Sequence, residues 1–146
     1  MLPARSLLVV GVLASLAAGC DNGGLVTERD VVGDYVATSF VLSGVGSPGD
    51  VDLLALGGAF GAELSADGRF TARLYVPAGT ELTEDGAEID ALFGGTFTVR
   101  SGAVLFFHSE DYFVRDLEWA YEDGALRASP SPLSTGVGYE VVLERR

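Results

Sequence analysis

The chain has 146 residues, of which 48% are hydrophobic, and a formal net charge of −12 at pH 7. This length suits one domain with a single core. All nine basic residues are arginine, against 21 acidic residues. So acidic a surface repels nucleic acid and argues against a protein that binds a phosphate backbone. We therefore expect no nucleic-acid partner.

The first segment has the layout of an export signal. Arg5 supplies positive charge, residues 7–19 carry none, and small residues close the run directly before Cys20, the chain's one cysteine. The apolar run is shorter than the ~20 residues that a membrane-spanning helix needs. Its ending resembles the lipobox of bacterial lipoproteins, in which the cysteine after the cleavage site receives a diacylglycerol. Ala17 stands where that motif usually has leucine.

This resemblance implies a lipoprotein signal peptide over residues 1–19, and a lipidated cysteine with a short tether over residues 20–32. Two or three acyl chains on Cys20 anchor a protein stably, so the predicted location is the bacterial cell envelope, with the choice of membrane left open. The alternatives are an ordinary secretory signal with an incidental cysteine, or a cytoplasmic protein with an apolar N-terminal helix. An acylated Cys20 leaves no thiol for a disulfide.

Residues 33–146 are predicted to form short strands, because β-branched and aromatic residues alternate with polar ones between turn signals. Asp67-Gly68, Ser101-Gly102 and Asp123-Gly124 are turn pairs typical of hairpins. Residues 51–56 fit either a strand or a single helical turn, and residues 77–91 are predicted to be an acidic loop. The predicted strands are 35–42, 60–64, 70–76, 96–100, 103–108, 112–121, 125–128 and 138–145.

Seven or eight strands joined mainly by tight turns, without an amphipathic helix of useful length, predict an antiparallel meander. An open meander of this length leaves two long edges exposed, and closing it into a barrel removes them. The predicted fold is all-β, a single antiparallel up-and-down β-barrel of about eight strands. A two-sheet β-sandwich is the alternative, since sequence alone does not exclude Greek-key connections.

Three stretches resemble the lipocalin-like branch of the calycin barrels. Gly33-Asp34-Tyr35 is similar to the opening of the first lipocalin strand, with tyrosine in place of tryptophan, and residues 53–76 are similar to the glycine-rich entry and hairpin of bacterial lipocalin-like domains. Leu143-Glu144-Arg145 resembles the final strand, whose basic residue packs over the first aromatic ring. The resemblance implies an eight-stranded barrel over 33–146 that is able to hold an apolar ligand, and a structural pair of Tyr35 and Arg145.

The interior of an eight-stranded barrel is either filled by its own side chains or holds one small ligand. Strand parity places many aromatic residues inside, which favours a packed core over a cavity. Arg115 shares the inward parity; a β-bulge turns it outward, and otherwise it is the candidate to bind an anionic ligand group. The candidate ligand-binding residues are Phe70, Phe97, Phe106, Arg115, Trp119 and Tyr139, and the same parity argument places Phe60 and Phe113 inside.

The sequence contains no pattern that predicts catalysis, a metal or a cofactor. His108 is the single histidine and lies at a strand end, where we expect a solvated turn rather than a metal ligand or catalytic base. The acidic loop does not match the spacing of an EF-hand. We therefore expect a non-enzymatic protein, a binding module for a small apolar or amphipathic molecule; the alternative is a packed barrel without a ligand cavity that docks an envelope protein partner.

Overall fold

The computed structural model describes residues 25–44, 50–80, 85–109, 117–128 and 138–146. Within these ranges the chain forms one short helix, α1 (Glu28–Val31), and nine strands. The strands are β1 (Gly33–Ser43), β2 (Val51–Asp52), β3 (Ala59–Leu64), β4 (Arg69–Val76), β5 (Ile89–Arg100), β6 (Ala103–Phe107), β7 (Trp119–Glu122), β8 (Ala125–Ala128) and β9 (Gly138–Arg145).

Eight of these strands close into an antiparallel barrel. Going round the ring, the order is β1, β3, β4, β5, β6, β7, β8 and β9, and β9 pairs back with β1 from Tyr35 to Ser43. The two-residue strand β2 pairs with the end of β1 and lies outside the ring. The predicted all-β up-and-down barrel is therefore confirmed, and the β-sandwich alternative is wrong.

The hairpin turns lie where the sequence predicts them. In Ser101-Gly102 (φ 50° and 82°) and Asp123-Gly124 (φ 52° and 80°) both residues are left-handed, which is the type I′ geometry that matches the twist of two paired strands. The β3–β4 turn differs from the simple Asp-Gly turn expected. There the amide of Gly68 donates to the carbonyl of Ser65 at 3.1 Å and Gly68 has a φ of 78°, so a type I turn is followed by a glycine bulge.

The connections alternate between two ends of the barrel. The closed end, as we call it, carries the turns β3–β4, β5–β6 and β7–β8 together with α1. The far end carries the longer connections that follow β1, β4, β6 and β8. The sequence predicts a tether up to residue 32, but Val31 is fully buried in the core and Val26 packs against it. The folded unit therefore extends to α1.

Strand β5 is longer than predicted. The expected loop over 77–91 ends early, because β5 begins at Ile89 and pairs with β4 from Ile89 to Thr96. Gly94 and Gly95 interrupt the sequence pattern in the middle of the strand, and crowding explains them: a Cβ on Gly95 would meet the carbonyl oxygen of Phe107 at 2.0 Å. Neighbouring strands therefore approach more closely here than a side chain allows.

Other boundaries also shift. Residues 51–56, left open between strand and helical turn, form β2 followed by a turn over 53–57. The strand predicted over 112–121 begins at Trp119 in the part that the structure describes, and residues 110–116 lie outside the described ranges. In β1 the register against β9 shifts between Ala37 and Ser39. This β-bulge changes the inward parity of β1, so Tyr35 and Phe40 both face the core.

Candidate functional site

The barrel interior, the predicted ligand site, is lined by buried aromatic side chains. Four of the six candidate residues, Phe70, Phe97, Phe106 and Trp119, are buried, none more than 4% exposed. Tyr139 is partly buried and packs against the core. The remaining candidate, Arg115, lies outside the described residues, as do Phe113 and the β-bulge considered at that position. Phe60, which parity also places inside, is buried.

Aromatic rings from six strands contact one another inside the ring. Phe40 of β1 meets Phe60 of β3 with ring centroids 5.9 Å apart, and Phe60 meets Trp119 of β7 at 6.4 Å. Trp119 then contacts Phe106 of β6 at 5.9 Å, and Phe106 contacts Phe70 of β4 at 4.8 Å. Phe70 completes the series with Phe93 of β5 at 6.3 Å. Edge-on and tilted arrangements at these separations are favourable.

The contact between Phe60 and Trp119 is the informative one. In the order of the ring, β3 and β7 lie four strands apart, on opposite walls of the barrel. Two side chains from opposite walls that touch across the axis leave no channel between them at that level, and Trp119 has no exposed surface at all. Small residues balance the rings in the next layer, where Ala62 and Ala72 stand side by side between Tyr35 and Phe93. The interior at this level is therefore packed by the protein itself.

Sequence reasoning missed two interior groups. Phe93 lies in β5 just before Gly94-Gly95, which made this part of the strand hard to extend from the pattern. His108 was expected in a solvated turn, but both of its ring nitrogens are buried. Its imidazole instead packs against Phe93, with centroids 5.3 Å apart, and against Phe70 at 6.1 Å. The histidine belongs to the wall of the aromatic core, and the signal that could have found it is strand parity, since His108 continues the inward alternation of Val104 and Phe106.

Arg145 joins several elements at the closed end. Its guanidinium lies 5.5 Å from the centre of the Tyr35 ring and 5.8 Å from that of Tyr121. Nη2 donates to the hydroxyl oxygens of Tyr35 at 3.0 Å and Tyr121 at 3.1 Å, and to the carbonyl of Asp30. The structure thus brings together the predicted pair, and adds β7 and α1 to it. Neither Tyr121 nor the Asp30 carbonyl has a sequence signal that indicates this contact.

Burial and hydrogen bonding shift the ionisation of this group of residues. Burial raises the pKa of Tyr35 above its ordinary 10.0, while the hydrogen bond from Arg145 acts in the opposite direction. The hydroxyl of Tyr35 also donates to the carbonyl of Val31 at 2.8 Å. Tyr35 is therefore a neutral phenol that donates to α1 and accepts from Arg145. Such a cluster stabilises the fold by hydrogen bonds and does not transfer protons.

An open groove of about 720 Å³ crosses the outer face of β1, β3, β4 and β5. Outward residues at paired positions line it: Val36 opposite Gly61, then Arg73, then Leu92. Leu92 is 78% exposed. Arg73 makes a bidentate ion pair with Asp90, in which Nε donates to Oδ1 at 2.8 Å and Nη2 to Oδ2 at 2.6 Å. The hydrogen bond from Arg73 lowers the pKa of Asp90.

No three metal-ligating side chains come together in the described ranges in a way that would hold an ion. Within the same ranges, no helix has the length and apolar character to span a bilayer. Cys20 lies outside the described residues.

Comparison of the chain with protein-family models, with curated proteins and with solved structures finds no match. The closed antiparallel barrel is compatible with a lipocalin-like fold.

Proposed function

We propose that the protein is a lipid-anchored lipoprotein of the bacterial cell envelope, with a lipocalin-like barrel that works without catalysis by presenting its outer surface to an envelope protein partner. The anchor is proposed from the apolar leader and the small residues before Cys20. One observation supports a filled barrel over a ligand carrier: Phe60 and Trp119 contact each other across the barrel axis and leave no space for a ligand between them.

Two tests address the two parts of this proposal. For the anchor, mass spectrometry of the protein purified from its own membranes should find a diacylglycerol on Cys20, and Cys20→Ser should release the protein from the membrane fraction. An unmodified thiol at Cys20 would contradict the anchor.

For the filled interior, titration with a fluorescent fatty acid should give no saturable uptake and no quenching of Trp119. Trp119 is the only tryptophan and contacts both walls, so a ligand in the interior must alter its emission. Saturable binding at one probe per chain, with quenching of Trp119, would refute the filled barrel.

A photoreactive residue at Leu92 or Phe107, which are exposed on the outer face, should then cross-link to a defined partner in intact envelopes.

The second candidate function, a binding module for a small apolar or amphipathic molecule, has one observation in its favour. The outer groove has a volume within the range of small-molecule sites, about 300–1,000 Å³, and combines Val36 and Leu92 with the charged Arg73. A ligand bound there would be displaced by Leu92→Asp and would leave the emission of Trp119 unchanged. This pattern distinguishes it from a ligand held inside the barrel.

A further inference from the structure

We propose that the closed end of the barrel faces the bilayer and the far end points away from it, so that partners meet the far end and the walls. The occupant of the closed end is the phospholipid surface that holds the anchor. This orientation rests on the proposed lipid at Cys20. The structural reason is the place at which the chain enters the barrel.

The described chain begins at the closed end. Leu25 is 85% exposed, and Val26 already packs against the core. Helix α1 then lies across this end of the barrel: its last residue, Val31, is buried in the core, and Thr98 of β5 donates to the carboxylate of Glu28 at 3.3 Å. The entry point of the chain is therefore fixed to the closed end by packing and by hydrogen bonds.

The length of chain between the lipid and this point limits the orientations. At ~3.3–3.6 Å per residue, the segment from Cys20 to Leu25 reaches at most about 18 Å, whatever conformation it adopts. Strand β1 has 11 residues, which at ~3.3 Å per residue and a tilt of ~40° span about 25 Å along the barrel axis. A barrel with its far end on the membrane would need a tether longer than this, so the inverted orientation is out of reach.

Exposed arginines favour the upright orientation over a barrel lying on its side. Arg29, Arg69, Arg100 and Arg146 are exposed and lie on α1 or at strand ends of the closed end. Among the described residues the single ion pair within 4.0 Å is that of Arg73 with Asp90 on the wall, so these four guanidinium groups can meet lipid phosphates. Such contacts are short-ranged and act only close to an anionic lipid surface.

Acidic residues outnumber the arginines at the closed end, so its net charge is negative. They lie on α1, in the turns and at the strand ends there: Glu28, Asp30, Asp34, Glu63, Asp67, Glu122, Asp123 and Glu144. In the connections of the far end the described charged residues are acidic, namely Asp50, Asp52, Asp85 and Glu88, and the exposed Arg127 lies one residue before the end of β8. An anionic lipid surface repels this end of the molecule. The lipid anchor and its short tether thus supply the attachment, and the exposed arginines of the closed end, which can contact lipid phosphates, distinguish it from the far end.

The test places one fluorophore at each of three heights on the full-length lipidated protein. Because the single native cysteine carries the lipid, an introduced cysteine is the only reactive thiol. Ala66→Cys labels an exposed turn at the closed end, Ala78→Cys a matched exposed turn at the far end, and Leu92→Cys the wall. Each is reconstituted in vesicles of phosphatidylethanolamine and phosphatidylglycerol that contain a rhodamine-headgroup lipid. Energy transfer should decrease in the order Ala66, Leu92, Ala78, with at least a twofold difference between the two turns.

A reversed order, or equal transfer from the two turns, would overturn the proposed orientation. Inserting twenty Gly and Ser residues after Gly24 provides the control: it removes the length restriction, so the difference between the two turns should narrow. The mass of the lipidated N-terminus is measured on the same samples. A missing lipid overturns the anchor and the orientation together, whereas a lipidated protein with the wrong order of transfer overturns the orientation alone.

Discussion

Replacing Arg145 by alanine should destabilise the barrel by about 2 kcal/mol. The two cation–ring contacts, with Tyr35 and Tyr121, contribute about 0.5–1 kcal/mol each at a site with this exposure. The hydrogen bonds add at most about 1 kcal/mol net, because water replaces them at an exposed guanidinium. Tyr35 still donates to Val31 in the variant, so no buried hydroxyl loses its only partner and the loss stays moderate.

The free energy of unfolding is measured by urea titration, with the emission of the buried Trp119 as the signal. Arg145→Lys keeps the charge but should recover less than half of the loss, since one ammonium group does not reach both rings and all three oxygen acceptors. Arg146→Ala is the matched control, because the backbone amide of Arg146, unaffected by the change, makes its hydrogen bond to Asp34. An Arg145→Ala variant within about 0.5 kcal/mol of the parent protein, or an equal loss for Arg146→Ala, would refute the reasoning.

Three further predictions concern the core and its ionisation. Phe106→Ala removes the ring contacts with Phe70 and Trp119 and should lower the free energy of unfolding in urea by about 3–5 kcal/mol. The adjacent Phe107 is 52% exposed, so Phe107→Ala should lower it by under about 1 kcal/mol. Similar losses for the two variants would contradict the inward parity of β6. Gly95→Ala should lower the melting temperature far more than Thr96→Ala, because its Cβ has no space; equal melting temperatures in a calorimeter would disprove this crowding. Folded Tyr35 keeps its proton above its ordinary pKa of 10.0 while the unfolded chain loses it, so stability should fall as pH rises through 10. Tyr35→Phe should flatten that part of the profile of unfolding free energy against pH, and an unchanged slope would count against a buried, neutral Tyr35.

Most of the fold was predictable because hairpins are local. The Ser101-Gly102 and Asp123-Gly124 pairs announce type I′ turns in the sequence itself, and the inward parity of Phe70, Phe106 and Trp119 follows from counting residues along the strands. Counting residues along one strand does not show features that depend on a neighbouring strand. The glycines of β5 are set by the backbone of β4 and β6, so the sequence predicts this strand only from Thr96, after the glycine pair.

The candidate site was less predictable than the fold, for the same reason. The bulge in β1 changes which residues face inward after Ala37, and it is visible only in the pairing with β9. The burial of His108 depends on rings from β4 and β5. Whether aromatic side chains fill a barrel or line a cavity depends on whether opposite walls touch. Sequence parity gives the direction of Phe60 and Trp119, but not the distance between them.

The seam between β1 and β9 makes the two termini of the barrel neighbours. Tyr35 is paired with Arg145, and the amide of Arg146 donates to the carbonyl of Asp34 at 2.9 Å. A short linker from Arg146 to Leu25, which keeps α1, with new ends opened at residues 78–79, should give a circular permutant with the same barrel. In such a permutant the new N-terminus would lie in the connection between β4 and β5, at the far end of the barrel. An anchor fused to the new N-terminus would turn the face that carries α1, which we propose to lie nearest the lipid, towards the surrounding solution.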